Sequence, residues 1–250
     1  FPFAHNAGYR AGWQIALLYG VRIVPISVVD SAELLALIER ERVTYLPVVV
    51  PVAQALMAHP DRASRDLSSL RVVSTGGTTI PVNVVEELLK VLGGDTVVQA
   101  GYGLTEAAGS VTSTRAGDAP EVIAKTVGRP LRSLEVRVLG PDDMELPTGE
   151  VGEIAVRGPQ VFSGYYEDPV ATRLAFTTDG FLRTGDAGAF DEAGNLRITD
   201  RIKDMYLVGG FNCYPAEIEH VMLSMPGIRQ VAVIGIDDDR LGQVGRAFVV

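Results

Sequence analysis

The stretch Gln99-Ala100-Gly101-Tyr102-Gly103-Leu104-Thr105-Glu106 decides how this chain is read. Thr96 to Gln99 is a short, largely β-branched run of the kind that forms a buried strand, and the glycines behind it lead that strand into a loop. In an open α/β sheet such a loop falls at the carboxyl edge, where ligands bind. An aromatic ring, a hydroxyl and a carboxylate stand there within five positions. Tyr102 offers a stacking face, Thr105 a hydrogen bond to phosphate, and Glu106 an oxygen ligand for Mg²⁺. By spacing alone, a packed tyrosine, a turn threonine and a solvated glutamate remain an open alternative.

Working outward, the residues before this loop alternate helix and strand. Asp30 can cap a helix over about 31–41, with Glu33 at its third position and Leu34, Leu35, Leu37 and Ile38 as an apolar stripe. The run Val43 to Val50 reads as a strand, followed by a helix after Pro51 and a strand from Arg71 to Ser74 that ends on Gly76-Gly77. Pro81 suits the first position of a helix over Val82 to Leu92, which Gly93-Gly94 stop. The alternation predicts a largely parallel sheet covered by helices.

Past about residue 125 the pattern changes to short strands with turns between them. Leu134–Leu139 and Glu153–Arg157 flank the turns Gly140-Pro141-Asp142-Asp143 and Pro147-Thr148-Gly149, and Ala187–Phe190 pairs with Leu196–Thr199 across 191–195. After the polar knot Asp200-Arg201-Ile202-Lys203-Asp204 come a hairpin over Met205 to Cys213, a helix opened by Pro215, and strands at about 230–236 and 246–250. The expected fold is α/β in three parts: a helix-covered, mostly parallel sheet over 1–118, a β-rich, barrel-like part over 119–200, and a partial α+β lid over 201–250.

Composition narrows the function classes. With 47% hydrophobic and 21% charged residues, the 250-residue chain is ordinary globular material rather than disordered. A net charge of −9 argues against a nucleic-acid partner, whose phosphates need a basic face. The single cysteine, Cys213, supports no disulfide framework and suits a reducing compartment, so cytoplasm is the expected location. The uncharged stretch Val43 to Pro60 contains Pro47, Pro51, Thr44, Gln54 and His59, and no transmembrane segment is expected from it.

The octapeptide resembles the core motif of the adenylate-forming superfamily of acyl-CoA synthetases, luciferases and peptide-synthetase adenylation domains. Gly149-Glu150-Val151-Gly152-Glu153-Ile154-Ala155-Val156-Arg157-Gly158-Pro159, Thr184-Gly185-Asp186 and Asp200–Asp204 are similar to later motifs of that family, in its order. The resemblance covers essentially the whole chain. It implies that Tyr102 stacks on adenine, with Gln99, Gly101 and Gly103 beside the nucleotide. Thr105 would bond the α-phosphate, and Glu106 would bind Mg²⁺, with Thr105 as a second candidate ligand. Asp186 would take the ribose hydroxyls, as an acceptor-only carboxylate can, and Arg201 would contact ribose or phosphate. Gly76, Gly77 and Thr78 would lie near nucleotide and acyl group, although Thr78 stands where many relatives have a small apolar residue.

Phe3-Ala4-His5-Asn6-Ala7-Gly8 resembles the family segment that borders the acyl pocket, so His5 would steer the carboxylate or gate the thiol's approach. Lys203 would be the pivot between large domain and lid. Val208-Gly209-Gly210-Phe211-Asn212-Cys213-Tyr214-Pro215 looks like the acyl- and aryl-CoA ligase version of its segment, with Gly209 and Gly210 giving bare backbone to the pantetheine arm of CoA.

The resemblance thus implies an ATP-dependent acid:CoA ligase with ATP, Mg²⁺, CoA and a fatty or bulky apolar carboxylic acid as its ligands. Both ends look cut: the family's Ser/Thr/Gly-rich phosphate loop is expected upstream of Phe1 and its catalytic lysine beyond Val250, leaving the piece alone inactive. An adenylating enzyme with a carrier-protein acceptor, or an inactive nucleotide- or acyl-binding homologue, is the alternative.

Overall fold

A computed structural model of the chain describes residues 2–76, 80–93, 96–209, 211–238 and 240–250. Gly77, Thr78 and Gly210, together with Phe1 and Gly94, lie outside the described residues. The chain divides into two compact units. The first holds the chain up to Leu134 with Gly158–Phe162 and Gly194–Leu196; the second holds Glu135–Arg157, Ser163–Ala193 and Arg197–Val250.

In the first unit, five strands form one sheet in sequence order: β1 (Tyr45–Pro47), β2 (Val72–Gly76), β3 (Val97–Tyr102), β4 (Thr112–Ser113) and β5 (Arg129–Pro130). β1, β2 and β3 pair in parallel, β4 pairs antiparallel to β3 and β5 antiparallel to β4, so β4 runs against the other four strands and the sheet is mixed but mostly co-directional, close to the parallel expectation. The helix Ser31–Glu41 forms as expected, with Asp30 Oδ1 accepting from the Glu33 amide at 2.9 Å and four leucine and isoleucine side chains buried. Val73 and Val98 of the sheet pack with Leu35, Ile38, Val85, Leu88 and Ile123 in one core. Burying each such side chain contributes roughly 1.5–3 kcal/mol.

Local readings shift by a few residues for identifiable reasons. The strand expected over Val43–Val50 shrinks to Tyr45–Pro47, because Pro51 occupies the first turn of a helix that recruits Val50, Val50–Ala58. Pro81 is the residue before the helix Val82–Leu92 rather than its first, and Gly93, at φ +91°, ends it. The strand expected to stop at Gln99 continues through Gly101 to Tyr102. Ahead of all this, a helical segment with a π-helical centre (Tyr9–Gln14) spans Asn6–Tyr19.

The second unit contains two sheets. β6 (Glu135–Leu139), β7 (Gly152–Arg157), β8 (Leu182–Phe190) and β9 (Leu196–Arg201) lie in that order, with β6 and β9 at opposite edges. This sheet is open, which corrects the barrel-like expectation: closure would require the two edge strands to pair. Phe181 is buried in this unit, with the guanidinium groups of Arg137 and Arg157 each 4.3 Å from its ring centre.

The other sheet has the order β11 (Phe211–Cys213), β10 (Tyr206–Val208), β13 (Gly242–Val249) and β12 (Val231–Asp238), beside the helix Pro215–Leu223. Its last two strands are longer than expected and form an eight-pair antiparallel hairpin. Tyr206 lies over the register partners Gly235 and Gly245, where any β-carbon would collide with its side chain. Burial raises the Tyr206 phenol above its ordinary range.

Candidate functional site

In the first unit, β3 delivers Tyr102 at its last position, half-buried, and the chain then makes a 3₁₀ turn over Thr105–Ala107. Gly76 and Gly101 are register partners on β2 and β3, and a β-carbon on Gly76 would come 2.9 Å from the Gly101 carbonyl oxygen. Gln99, two residues before Gly101, is half-buried on the same strand. Gly103 is required by space: its β-carbon would stand 2.5 Å from Gly109 O and 2.7 Å from Ser110 Cα. The turn ends on Ala108 at φ +54° and Gly109 at φ +88°, two successive left-handed residues that bring the chain back under Gly103.

Four consecutive carbonyls of this turn receive donors from two remote segments. Asn6 Nδ2 reaches Thr105 O at 3.4 Å, and the Phe162 amide reaches Glu106 O at 2.7 Å. Gln160 Nε2 reaches Ala107 O at 2.9 Å, and Arg10 Nη1 donates to Ala108 O. The result is an exposed Thr105 and a half-buried Glu106 on backbone that is held from outside. His5 is exposed, and its Nδ1 accepts from the Ala7 amide at 3.2 Å, which assigns the proton of the neutral ring to Nε2.

In the second unit, Thr184-Gly185-Asp186 forms part of β8. β7 spends only Ile154 between the paired positions Glu153↔Ala187 and Ala155↔Arg183, while β8 spends Thr184, Gly185 and Asp186, so the segment bulges. Three bonds fix the bulge. Thr184 Oγ1 donates to Ile154 O at 2.7 Å, the Asp186 amide donates to Thr184 Oγ1 at 3.1 Å, and the Gly185 amide donates to Glu153 Oε1 at 3.2 Å. The other Glu153 oxygen pairs with Arg183 at 2.9 Å, and Arg183 also bonds Asp143. Those carboxylates raise the Arg183 pKa, the bond to Asp143 most.

The Asp186 side chain is 15% exposed and lies 3.5 Å from Arg201 Nε at the end of β9; the Arg201 side chain is 61% exposed. The structure thus brings these two predicted residues together. Lys203 follows on a 3₁₀ turn, Ile202–Asp204, and lines a cleft of about 410 Å³ with Asp200, Tyr206, Glu219, Val233 and Gln243. Asp200 Oδ2 accepts from the Ala216 amide at 2.8 Å and so ties the polar knot to the first turn of the helix opened by Pro215. Gly209, at φ +57°, turns β10 into β11, and its amide donates to Leu241 O at 2.8 Å.

Sequence reasoning quoted Asn6 and Glu153 within motifs but gave them no role, and it passed over Arg10, Gln160 and Arg183. Their partners lie from about 30 to 100 residues away, so no local pattern marks them.

A glycine-flanked loop at the carboxyl end of parallel strands is the setting in which α/β enzymes handle nucleotides. The chain belongs to the AMP-binding enzyme family: the model of that family matches residues 1–166, and the model of the AMP-binding enzyme C-terminal domain matches residues 217–250. It is 49% identical over 249 residues to a 3-[(3aS,4S,7aS)-7a-methyl-1,5-dioxo-octahydro-1H-inden-4-yl]propanoyl:CoA ligase of Mycobacterium tuberculosis, covering 100% of this chain and 47% of that protein. It is 39% identical to a feruloyl-CoA synthase of Amycolatopsis, covering 100% of this chain and 50% of the relative. ATP-bound MatB from Rhodopseudomonas palustris superposes with a TM-score of 0.87 at 31% identity, over 100% of this chain and 48% of that one. The chain therefore spans about half the length of the relatives it matches. Among the described residues, no helix is long and apolar enough to cross a membrane.

Proposed function

We propose that the protein containing this chain is an ATP-dependent acid:CoA ligase acting on a bulky apolar carboxylic acid. The observation that carries this reading is the Tyr102–Glu106 loop at the end of β3, in a chain 49% and 44% identical along its whole length to two ligases for a fused-ring propanoate. The acid's carboxylate oxygen attacks the α-phosphorus of ATP, the bond from that phosphorus to the bridging oxygen breaks, and pyrophosphate leaves. The CoA thiolate then attacks the acyl carbon and expels AMP.

This chain's own residues would bind and orient. Tyr102 gives adenine a stacking face, Gln99, Gly76, Gly77, Thr78, Gly101 and Gly103 would stand beside the nucleotide, and Thr105 bonds the α-phosphate. Asp186 takes the ribose hydroxyls and Arg201 adds a fixed cation. His5 meets the acyl carboxylate, Gly209 and Gly210 accept the pantetheine arm, and Lys203 is the hinge from which a lid beginning near residue 201 turns. Among the described residues no group of three or more His, Cys, Asp and Glu could form a metal cage. One carboxylate beside a hydroxyl suits Mg²⁺, which keeps waters and shares substrate phosphates. Glu106, with Thr105 as its second candidate ligand, would hold Mg²⁺, which offsets phosphate charge when bound. We place the reaction in the cytoplasm, a reducing compartment suited to a chain with one free cysteine.

The test uses the full-length protein with ATP, Mg²⁺ and either CoA or a phosphopantetheinyl carrier protein, against fused-ring propanoic, hydroxycinnamic and straight-chain acids. Acid-dependent pyrophosphate release followed by acyl-CoA is the expected outcome, fastest with the fused-ring acid. Transfer to the carrier alone would move the reading to another acceptor. No pyrophosphate with any acid would sink it.

A further inference from the structure

We propose that Gln160 is a positioning residue whose side-chain amide sets where Thr105 and Glu106 stand; the functional part of this inference rests on the nucleotide role proposed above for those two residues. The geometry uses both protons that a glutamine amide has to give. Nε2 donates to Ala107 O at 2.9 Å and to Ser110 O at 2.5 Å, one carbonyl on each side of the left-handed pair Ala108 and Gly109. The opposite atom, Oε1, lies 3.5 Å from Ser133 Oγ, which orients the amide so that its nitrogen faces the turn.

The turn depends on such a clasp. An alanine in the left-handed region is unfavourable for an L residue, and persists only where its surroundings impose it. Gly103 lies so close to Gly109 that a small opening between Ala107 and Ser110 would be passed directly to the strand end that carries Tyr102. Two residues beyond Gln160, the Phe162 amide donates to the Glu106 carbonyl, so the segment that grips the turn also grips the backbone of Glu106. Gln160 touches no reacting atom; its action is through the turn.

The chemistry supplies a sharp variant. Gln160→Glu keeps the shape and, once ionised, replaces two donors by acceptors that face two carbonyl oxygens. Protonation of that glutamate would restore one donor. Gln160→Met keeps the length without any donor. In the full-length enzyme we expect either variant to raise KM for ATP and the Mg²⁺ concentration for half-maximal rate by about five- to fiftyfold, while KM for CoA stays within twofold. The deficit of Gln160→Glu should narrow as pH falls toward the glutamate range near 4.3, whereas that of Gln160→Met should not.

Amide hydrogen exchange provides a readout independent of catalysis. The amides of Ala108 and Gly109, which bond Thr105 O at 3.0 Å and Leu104 O at 2.8 Å, should exchange at least tenfold faster in both variants. Unchanged exchange in folded variants would overturn the proposal. So would an equal loss against ATP, Mg²⁺ and CoA, which marks mere destabilisation. Glu106→Gln serves as the control on the underlying reading. If it leaves the Mg²⁺ requirement unaltered, Glu106 is not the metal-facing group, and faster exchange in the Gln160 variants would then establish the clasp without its catalytic consequence.

Discussion

The turn after β3 and the bulge in β8 present candidate site residues by opposite means. In the turn, backbone carbonyls point outward and are caught by donors from residues 6–10 and 160–162. In the bulge, backbone amides are caught by acceptors from the bulge itself and the neighbouring strand, the Thr184 hydroxyl and the Glu153 carboxylate. Glycine serves differently in each. Gly103 is needed because a β-carbon has no room, whereas Gly185 has open space around it and is needed because φ is +72°. Crowding and conformation are distinct demands, and they fail differently.

The largest expected effect removes what the bulge presents. Asp186→Ala in the full-length enzyme should lower kcat/KM for ATP by roughly 10- to 1,000-fold, the loss of one or two charged hydrogen bonds at about 1.4 kcal/mol per decade. Its Tm should stay near that of the parent. Near-parent kcat/KM would remove the ribose role.

Gly103→Ala comes next. The new methyl must displace the Gly109 carbonyl, so we expect about 1–3 kcal/mol of overpacking in chemical denaturation, together with weakened ATP use. A variant as stable as the parent would show that the turn yields freely. Glu153→Ala tests the other device. The Gly185 amide loses its acceptor and Arg183 loses one of two carboxylate partners, and kcat/KM for ATP should fall about tenfold, the worth of one charge-assisted bond. If the fall equals that of Asp186→Ala, Glu153 carries more than the bulge.

The smallest effect sharpens the contrast between the glycines. Gly185→Ala meets no atom within 4 Å, so its cost is only the left-handed backbone, roughly 1–2 kcal/mol in an unfolding titration. Gly185→Asn should cost less than Gly185→Ala, because asparagine visits that region more readily. At Gly103 the order should reverse, the larger side chain being the worse. The same order at both positions would erase the distinction.

What was legible in the sequence follows the range of the interaction. Asp30 and Glu33 sit three apart, and their cap forms where the spacing puts it. The family motifs were legible because each is contiguous, and the family itself follows from them. By contrast, Val43–Val50 looks like a strand in composition, but the ladder register with β2 covers Tyr45–Pro47, and that pairing joins residues 27 apart. Thr184-Gly185-Asp186 is legible as a motif, but that it bulges out of β8 emerges only from its register with β7. Whether a sheet closes into a barrel depends on its edge strands, which no single strand encodes. Gln160 is a polar residue after Gly-Pro, and its meaning lies entirely in carbonyls 50 and 53 positions away.

The chain has one tryptophan, Trp13, and it belongs to the first unit, 47% exposed with its ring centre 5.3 Å from that of Phe3. In these 250 residues taken by themselves, tryptophan emission therefore does not report on the second unit, whose aromatic signal comes from tyrosines such as the buried Tyr206. Ultraviolet optics thus separate the two halves without any label. Emission followed through a denaturant series traces the melting of one unit, backbone dichroism traces both, and the distance between the two midpoints measures how far the halves unfold as one cooperative body.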